Sequence, residues 1–197
     1  MPETNRVEYN PNKHHRRSIR LKGYDYSREG LYFITLCCQD RQHLFGTIKN
    51  GEMILNKAGE IVKEEWKKTP SIRQNTALHE YAIMPNHFHA IIEIVFSKNR
   101  KGDSGKFQSP SQTIGAIIRG FKGASTKRIK EYYFSEDNSA RTGELQFAPT
   151  KFAPTDKIWQ SNYYEHIIRN EKSYHRISKY IKNNPVNWEK DKFHQKQ

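Results

Sequence analysis

The sequence predicts an α+β protein: a ferredoxin-like βαββαβ split sheet with helices packed on one face and an additional C-terminal helix. Three observations carry this. Short runs rich in aromatic and β-branched residues alternate with segments of helical apolar period. The second and third strands are separated only by a tight turn at Pro85. The last helical stretch follows the final strand and ends at Pro185.

The elements follow in order. Residues 1–29 are polar and basic and read as an arm. "LYFITLCCQ", Leu31 to Gln39, is the first strand, apolar almost throughout. A hairpin is predicted about Asn50–Gly51, because both positions tolerate positive φ. "KAGEIVKEEWKK" is the first helix; Ile61, Val62, Glu65 and Trp66 mix a helical apolar stripe with charged neighbours, and Pro70 is expected to close it. "TALHEYAIMP" and "HFHAIIEIVF" form an antiparallel pair. The polar stretch 97–109 is a loop. The second helix is expected from Ser109 and Pro110, with Gln112 completing a capping box and Ile114, Ile117, Ile118 and Phe121 buried. A polar insert over about 135–156 interrupts the domain, which spans 30–185. "KIWQSNYYEHIIRN" holds a short strand. Asn170 caps the last helix, whose Ile177 and Ile181 anchor it to the sheet. Residues 186–197 form a polar tail.

Composition bounds the function. The 197 residues suit one domain, with 35% apolar residues but 11 Tyr, 10 Phe and 3 Trp. Formal charge is +13, from 34 Lys and Arg against 21 Asp and Glu, which favours a polyanionic partner. No apolar run reaches the length of a membrane span, and the N-terminus lacks an apolar secretory segment. Two adjacent cysteines, Cys37 and Cys38, make no disulfide framework, so a reducing cytoplasm is expected.

The chemistry concentrates in "MPNHFHAIIEI". On a strand His87 and His89 face the same way, roughly 7 Å apart, with Phe88 turned to the other side. Two imidazoles can converge on one divalent ion. Glu93 shares their face and is a supporting candidate. In the last helix Tyr180 and Asn184 are four residues apart and stack on one face. A phenol beside a cation held by two imidazoles and an amide oxygen suits phosphodiester cleavage. Sequence physics alone leaves Tyr163, Tyr164 and Tyr174 as rivals to Tyr180. His166, just before the last helix, is a further supporting candidate. Phosphates of a nucleic-acid partner would find Arg16, Arg17 and Arg20 on the arm and Arg119, Lys122, Lys127 and Arg128 on the second helix. Tyr24, Tyr26, Tyr163 and Tyr164 could stack on bases.

Four stretches, "RRSIRLKGYDYSREGLYFITLCCQDRQHLFG", "YAIMPNHFHAIIEI", "TIGAIIRGFKGASTKRI" and "IWQSNYYEHIIRNEKSYHRISKYIKNNP", occur in order over most of residues 16–185. In them the chain resembles the REP-associated tyrosine transposases, relatives of the single-tyrosine insertion-sequence transposases. The resemblance implies a nucleophile at Tyr180, metal ligands at His87, His89 and Asn184, and Mg²⁺ or Mn²⁺ as cofactor. It implies hairpin-bearing single-stranded DNA as substrate, cut through a 5′-phosphotyrosine link with a free 3′-OH. A bacterial, cytoplasmic, nucleoid-associated location accompanies it. A homodimer and a monomer are both open, since the insertion-sequence relatives work as dimers and closely REP-linked members act as monomers. Two other readings compete. One is a non-cleaving hairpin-binding protein of the same architecture. The other is a zinc hydrolase using the cysteines as ligands.

Overall fold

The structure, a computed structural model, describes residues 24–96, 112–134 and 157–194. Most of the basic arm, with Arg16, Arg17 and Arg20, lies outside the described residues. So do Ser109, Pro110 and the 135–156 insert.

Six strands and four helices are present among them. They are β1 (Gly30–Cys37), β2 (Gly46–Lys49), β3 (Glu52–Leu55), α1 (Lys57–Lys67), α2 (Thr69–Ile72), β4 (Thr76–Met84), β5 (His87–Ile94), α3 (Ile114–Phe134), β6 (Tyr164–Ile168) and α4 (Glu171–Lys182). The main sheet runs β4-β5-β1-β6, with every neighbouring pair antiparallel. This is the expected split βαββαβ arrangement. β2 and β3 form a separate hairpin whose turn holds Asn50 at φ 51° and Gly51 at φ 76°, the positive angles a two-residue turn requires.

Both faces of the central strands are covered, which is why β1 and β5 read as continuous apolar runs. Tyr32, Ile34, Leu36, Phe88, Ala90 and Ile92 pack with Ile61, Val62 and Trp66 of α1 and Ile114, Ile117 and Phe121 of α3. Trp66 meets Phe88 and Phe121 edge-on at 5.0 and 5.2 Å between centroids. The opposite face is smaller: Phe33, Ile91 and Ile168 receive Ile177 and Ile181 of α4. The stripe on α1 includes a buried carboxylate, Glu65. It accepts from Arg128 Nη1 at 2.7 Å and Lys68 Nζ at 2.8 Å, so its own buried charge is paired.

Two helix boundaries differ from expectation. Pro70 does not simply end a helix; it occupies the first turn of α2, where its missing N–H costs nothing. The third helix starts at Ile114, because Thr113 Oγ1 accepts from Ala116 N at 3.2 Å and caps it there.

α4 is held at both ends. Asn170 Oδ1 accepts from Ser173 N at 2.8 Å, the expected N-cap. Nearby, His79 bridges Tyr174 Oη at 3.1 Å and Glu93 Oε2 at 3.0 Å. At the other end Lys182 Nζ pairs with Glu80 of β4 at 2.8 Å. Asn170→Ala leaves one end donor of this short helix unsatisfied. It should cost about 1 kcal/mol, seen as a lower urea midpoint with an unchanged slope.

Candidate active site

β5 alternation places His87 and His89 on the face that α4 covers, beside Ile91. Register sets Thr35 opposite His89 and Cys37 opposite His87. Ile177 and Ile181, four apart, seat α4 on the sheet, and Tyr180 in its last turn is thereby carried over the imidazoles. Its hydroxyl lies 3.2 Å from His89 Nε2 within the same chain. Tyr180 is 41% exposed while His87 and His89 are 0% and 1% exposed. The phenol therefore faces solvent on one side and the buried pair on the other.

The hydrogen bonds fix how the imidazoles point. Asn86 Nδ2 donates to Phe193 O at 2.8 Å, so its Oδ1 faces His87 and accepts from Nδ1–H at 2.8 Å. His87 Nε2 then carries a lone pair, and it is buried with no hydrogen-bond partner among the described residues. Thr35 Oγ1 holds His89 Nδ1 at 2.8 Å; with the proton on Nδ1, Nε2 accepts from Tyr180. Asn184 Nδ2 donates to Asp191 Oδ2 at 3.0 Å, which leaves its own Oδ1 buried and unpartnered. Buried acceptors without partners are rare, and an ion or a water between them would satisfy both. Nitrogen donors of His87 and His89 and a carboxylate oxygen of Asp191 all lie within 4.8 Å of one another. Two imidazole nitrogens, a carboxylate and an amide oxygen are a donor set that fits a divalent cation.

Asp191 is a candidate ligand that sequence reasoning missed. It lies in the polar tail, where Glu189 and Asp191 look equally solvated. The tail returns because a 3-10 turn at Trp188–Lys190 redirects it and Phe193 packs on His87, 4.7 Å between centroids. Neither cysteine joins the cluster. Cys38 is buried, and burial pushes its thiol well above the ordinary value. This weighs against zinc held by cysteine.

Burial pushes His87 down to about 4, against the opposing pull of Asp191 and Asn184. Burial and the neighbouring His87 hold His89 well below its usual range. Burial, with Asp191, raises the Tyr180 phenol. Both imidazoles are thus neutral at pH 7 and remain so well below it. Protons compete for the lone pairs of an exposed histidine pair below pH 6.5. That competition would weaken cation binding roughly tenfold by pH 6. Here Mn²⁺ affinity measured by calorimetry should stay nearly flat from pH 8 to 6 and fall only toward pH 4.

The remaining predicted residues are dispersed. Arg119 is exposed on α3, and Lys127 pairs loosely with Glu131 at 3.7 Å. Arg128 is engaged by Glu64 and Glu65, each at 2.7 Å. Lys122 donates to the carbonyls of Gln160 and Ser161. All four belong to the helix that packs on the face opposite Tyr180. Glu93 serves His79, about 13 Å along the strand from His89. His166 pairs with Phe33 across β1–β6 and shares the site's face. Beside Tyr180 opens a cavity of about 760 Å³ whose lining includes Arg176, Lys179, Lys190 and Lys192. Sequence reasoning missed these cations too. The signal was present in part: 176, 179, 180 and 183 follow the spacing of one helix face.

The chain thus combines a split antiparallel sheet with two imidazoles on one face and a helix-borne tyrosine above them. The fold is that of a REP-associated tyrosine transposase solved bound to a REP hairpin. The two match with a TM-score of 0.53 at 18% identity, over 87% of this chain and 74% of that one. No family model matches. A Haemophilus influenzae protein described only as uncharacterized is 41% identical over 201 residues, 95% of this chain and 98% of the relative. This chain belongs to one family with it. Among the described residues, no helix is long and apolar enough to cross a membrane.

Proposed function

We propose that the protein is a metal-dependent, transposase-like endonuclease and strand transferase for hairpin-bearing single-stranded DNA, with Tyr180 as nucleophile. One observation carries this reading: the Tyr180 hydroxyl meets His89 Nε2 at 3.2 Å beside the unpartnered lone pairs of His87 and Asn184. The shared fold with a transposase bound to a REP hairpin supports it.

His87, His89, Asp191 and Asn184 would hold the cation. Two imidazoles among the ligands favour Mn²⁺ over Mg²⁺. The bound ion would supply Lewis-acid polarisation of the scissile phosphate. Thr35 and Asn86 keep each imidazole's Nε2 turned inward. Tyr180 Oη attacks phosphorus, the bond from phosphorus to the 3′ oxygen breaks, and the phenol's proton ends on the departing 3′-OH. The 5′ phosphate stays on Tyr180 as a phosphodiester, so its bond energy is available for rejoining. The contact of the hydroxyl with His89 of its own chain at 3.2 Å supports action in cis by a monomer.

The alternative is a hairpin-binding protein that does not cleave. The near-complete burial of both imidazoles, with Phe193 against them, favours it. Incubation of labelled hairpin-flanked single strands with Mn²⁺, followed by denaturing electrophoresis, separates the two. A covalent protein–DNA band is expected. Tight binding with neither band nor cleaved strand would establish the alternative.

A further inference from the structure

We infer that the cavity beside Tyr180 is a seat for an unpaired nucleobase, with Tyr164 as its stacking platform and Arg176, Lys179, Lys190 and Lys192 as its phosphate rim. The inference rests on the reading of the protein as a processor of single-stranded DNA and adds where the strand next to the cut is held.

Tyr164 stands on the edge strand β6, directly opposite Thr35, on the same sheet face as the site. It is 50% exposed and lines the cavity, which leaves aromatic surface open to a ligand. Its backbone is fixed by pairing with β1, and its ring is steadied by Phe33 at 6.3 Å and a steep 69°. Tyr180 contacts the same Phe33 ring, also at 6.3 Å. Platform and nucleophile therefore flank one side chain. A base stacked on Tyr164 belongs to a nucleotide beside the bond that Tyr180 attacks.

Charge selects the same ligand. The lining carries four cations and the single carboxylate of Asp191, which is turned to Asn184 and Phe193 N. A volume of about 760 Å³ is in the usual range of ligand pockets and takes a base with its backbone. Aromatic platforms beside basic tracks bind single strands with little sequence preference, because every base offers a π-face. Of the four tyrosines considered for stacking, Tyr24 and Tyr26 pack with the core on the opposite sheet face, as does Tyr163. Tyr164 alone among them lines the cavity.

The test uses the full chain without metal, so that binding is read apart from cleavage. The probe is a hairpin oligonucleotide with an unpaired flank carrying 2-aminopurine at successive positions. At one position beside the cut, fluorescence should be quenched by the wild-type protein and by Tyr164→Phe. Tyr164→Ala should lose the quenching and bind about 10- to 100-fold more weakly. An Arg176→Ala/Lys179→Ala variant should keep the quenching. Its log affinity against log salt should be shallower by about 1.4, since each phosphate contact on a single strand releases roughly 0.7 counterion. Equal quenching and affinity in Tyr164→Ala would overturn the base seat even if the protein cleaves DNA. Failure of cleavage with the Tyr164 pattern intact would leave the seat standing and remove the proposed chemistry. A protein that binds no hairpin strand removes both.

Discussion

Tyr180→Phe should abolish the covalent protein–DNA band and reduce strand cleavage by on the order of 10⁴-fold or more, as expected when a nucleophile is removed from a unit that acts together. The substitution deletes one oxygen and little else. The ring keeps its contacts with Phe33 at 6.3 Å and with His89 at 5.2 Å between centroids. Stability should change by only about 1 kcal/mol, the net worth of one hydrogen bond. Mn²⁺ binding should persist, because no proposed ligand is touched; His89 Nε2 merely loses the phenol that competes for its lone pair. Hairpin affinity should persist as well, since the rim cations and Tyr164 are intact. The measurement is a pair of gels and one titration: denaturing electrophoresis for the adduct, native electrophoresis for the complex, calorimetry for the metal. An unaltered adduct yield would move the nucleophile to another tyrosine. Tyr164 is the rival that lines the same cavity. Tyr174 is tied to His79 and partly buried.

What could be read from the sequence was local or periodic. Strand alternation put His87 and His89 on one face, and helical spacing stacked Tyr180 above Asn184. The cap at Asn170 and the anchors Ile177 and Ile181 followed from the same periods and are present in the fold. The Asn50–Gly51 turn needed only two residues to declare itself. Corrections came where two local signals competed. Pro70 can end one helix or open the next, and Thr113 caps α3 where its hydroxyl meets a free end donor. The unread part of the site depends on a long-range return. Nothing in "VNWEKDKFHQKQ" says that Trp188 and Phe193 will seek the imidazole face, so Asp191 could not be told from Glu189. The basic residues posed the converse difficulty. Composition gave a basic excess but not its face, and the sequence pointed to the cations of α3 while passing over Arg176 and Lys179. Only the packing of α4 over the sheet distinguishes them.

Removing charge or nitrogen from the cation cluster should separate ligand from bystander. His87→Ala deletes the donor whose Nε2 has no other partner, and Mn²⁺ affinity should fall by at least about 100-fold, more than is usual for an outer-shell change. This variant also empties a fully buried position against Trp188 and Phe193. A cavity there costs about 2 to 4 kcal/mol, so lost binding could be misread as lost fold. Asp191→Asn resolves that ambiguity. It keeps the shape, and its amide oxygen can still accept from Phe193 N, but it removes the cluster's negative charge. Asn184, which now donates to Asp191, would face an amide in its place. Mn²⁺ affinity should drop by about 10- to 100-fold if the carboxylate supports or ligates the ion. The melting temperature without metal should move little. Stabilisation by added metal should shrink in step with the affinity, because an ion bound only by the folded state raises stability as the logarithm of its saturation. If Asp191→Asn binds Mn²⁺ as tightly as the wild type while His87→Ala does not, the tail carboxylate serves only to orient Asn184. The cation would then rest on the two imidazoles and the amide oxygen alone.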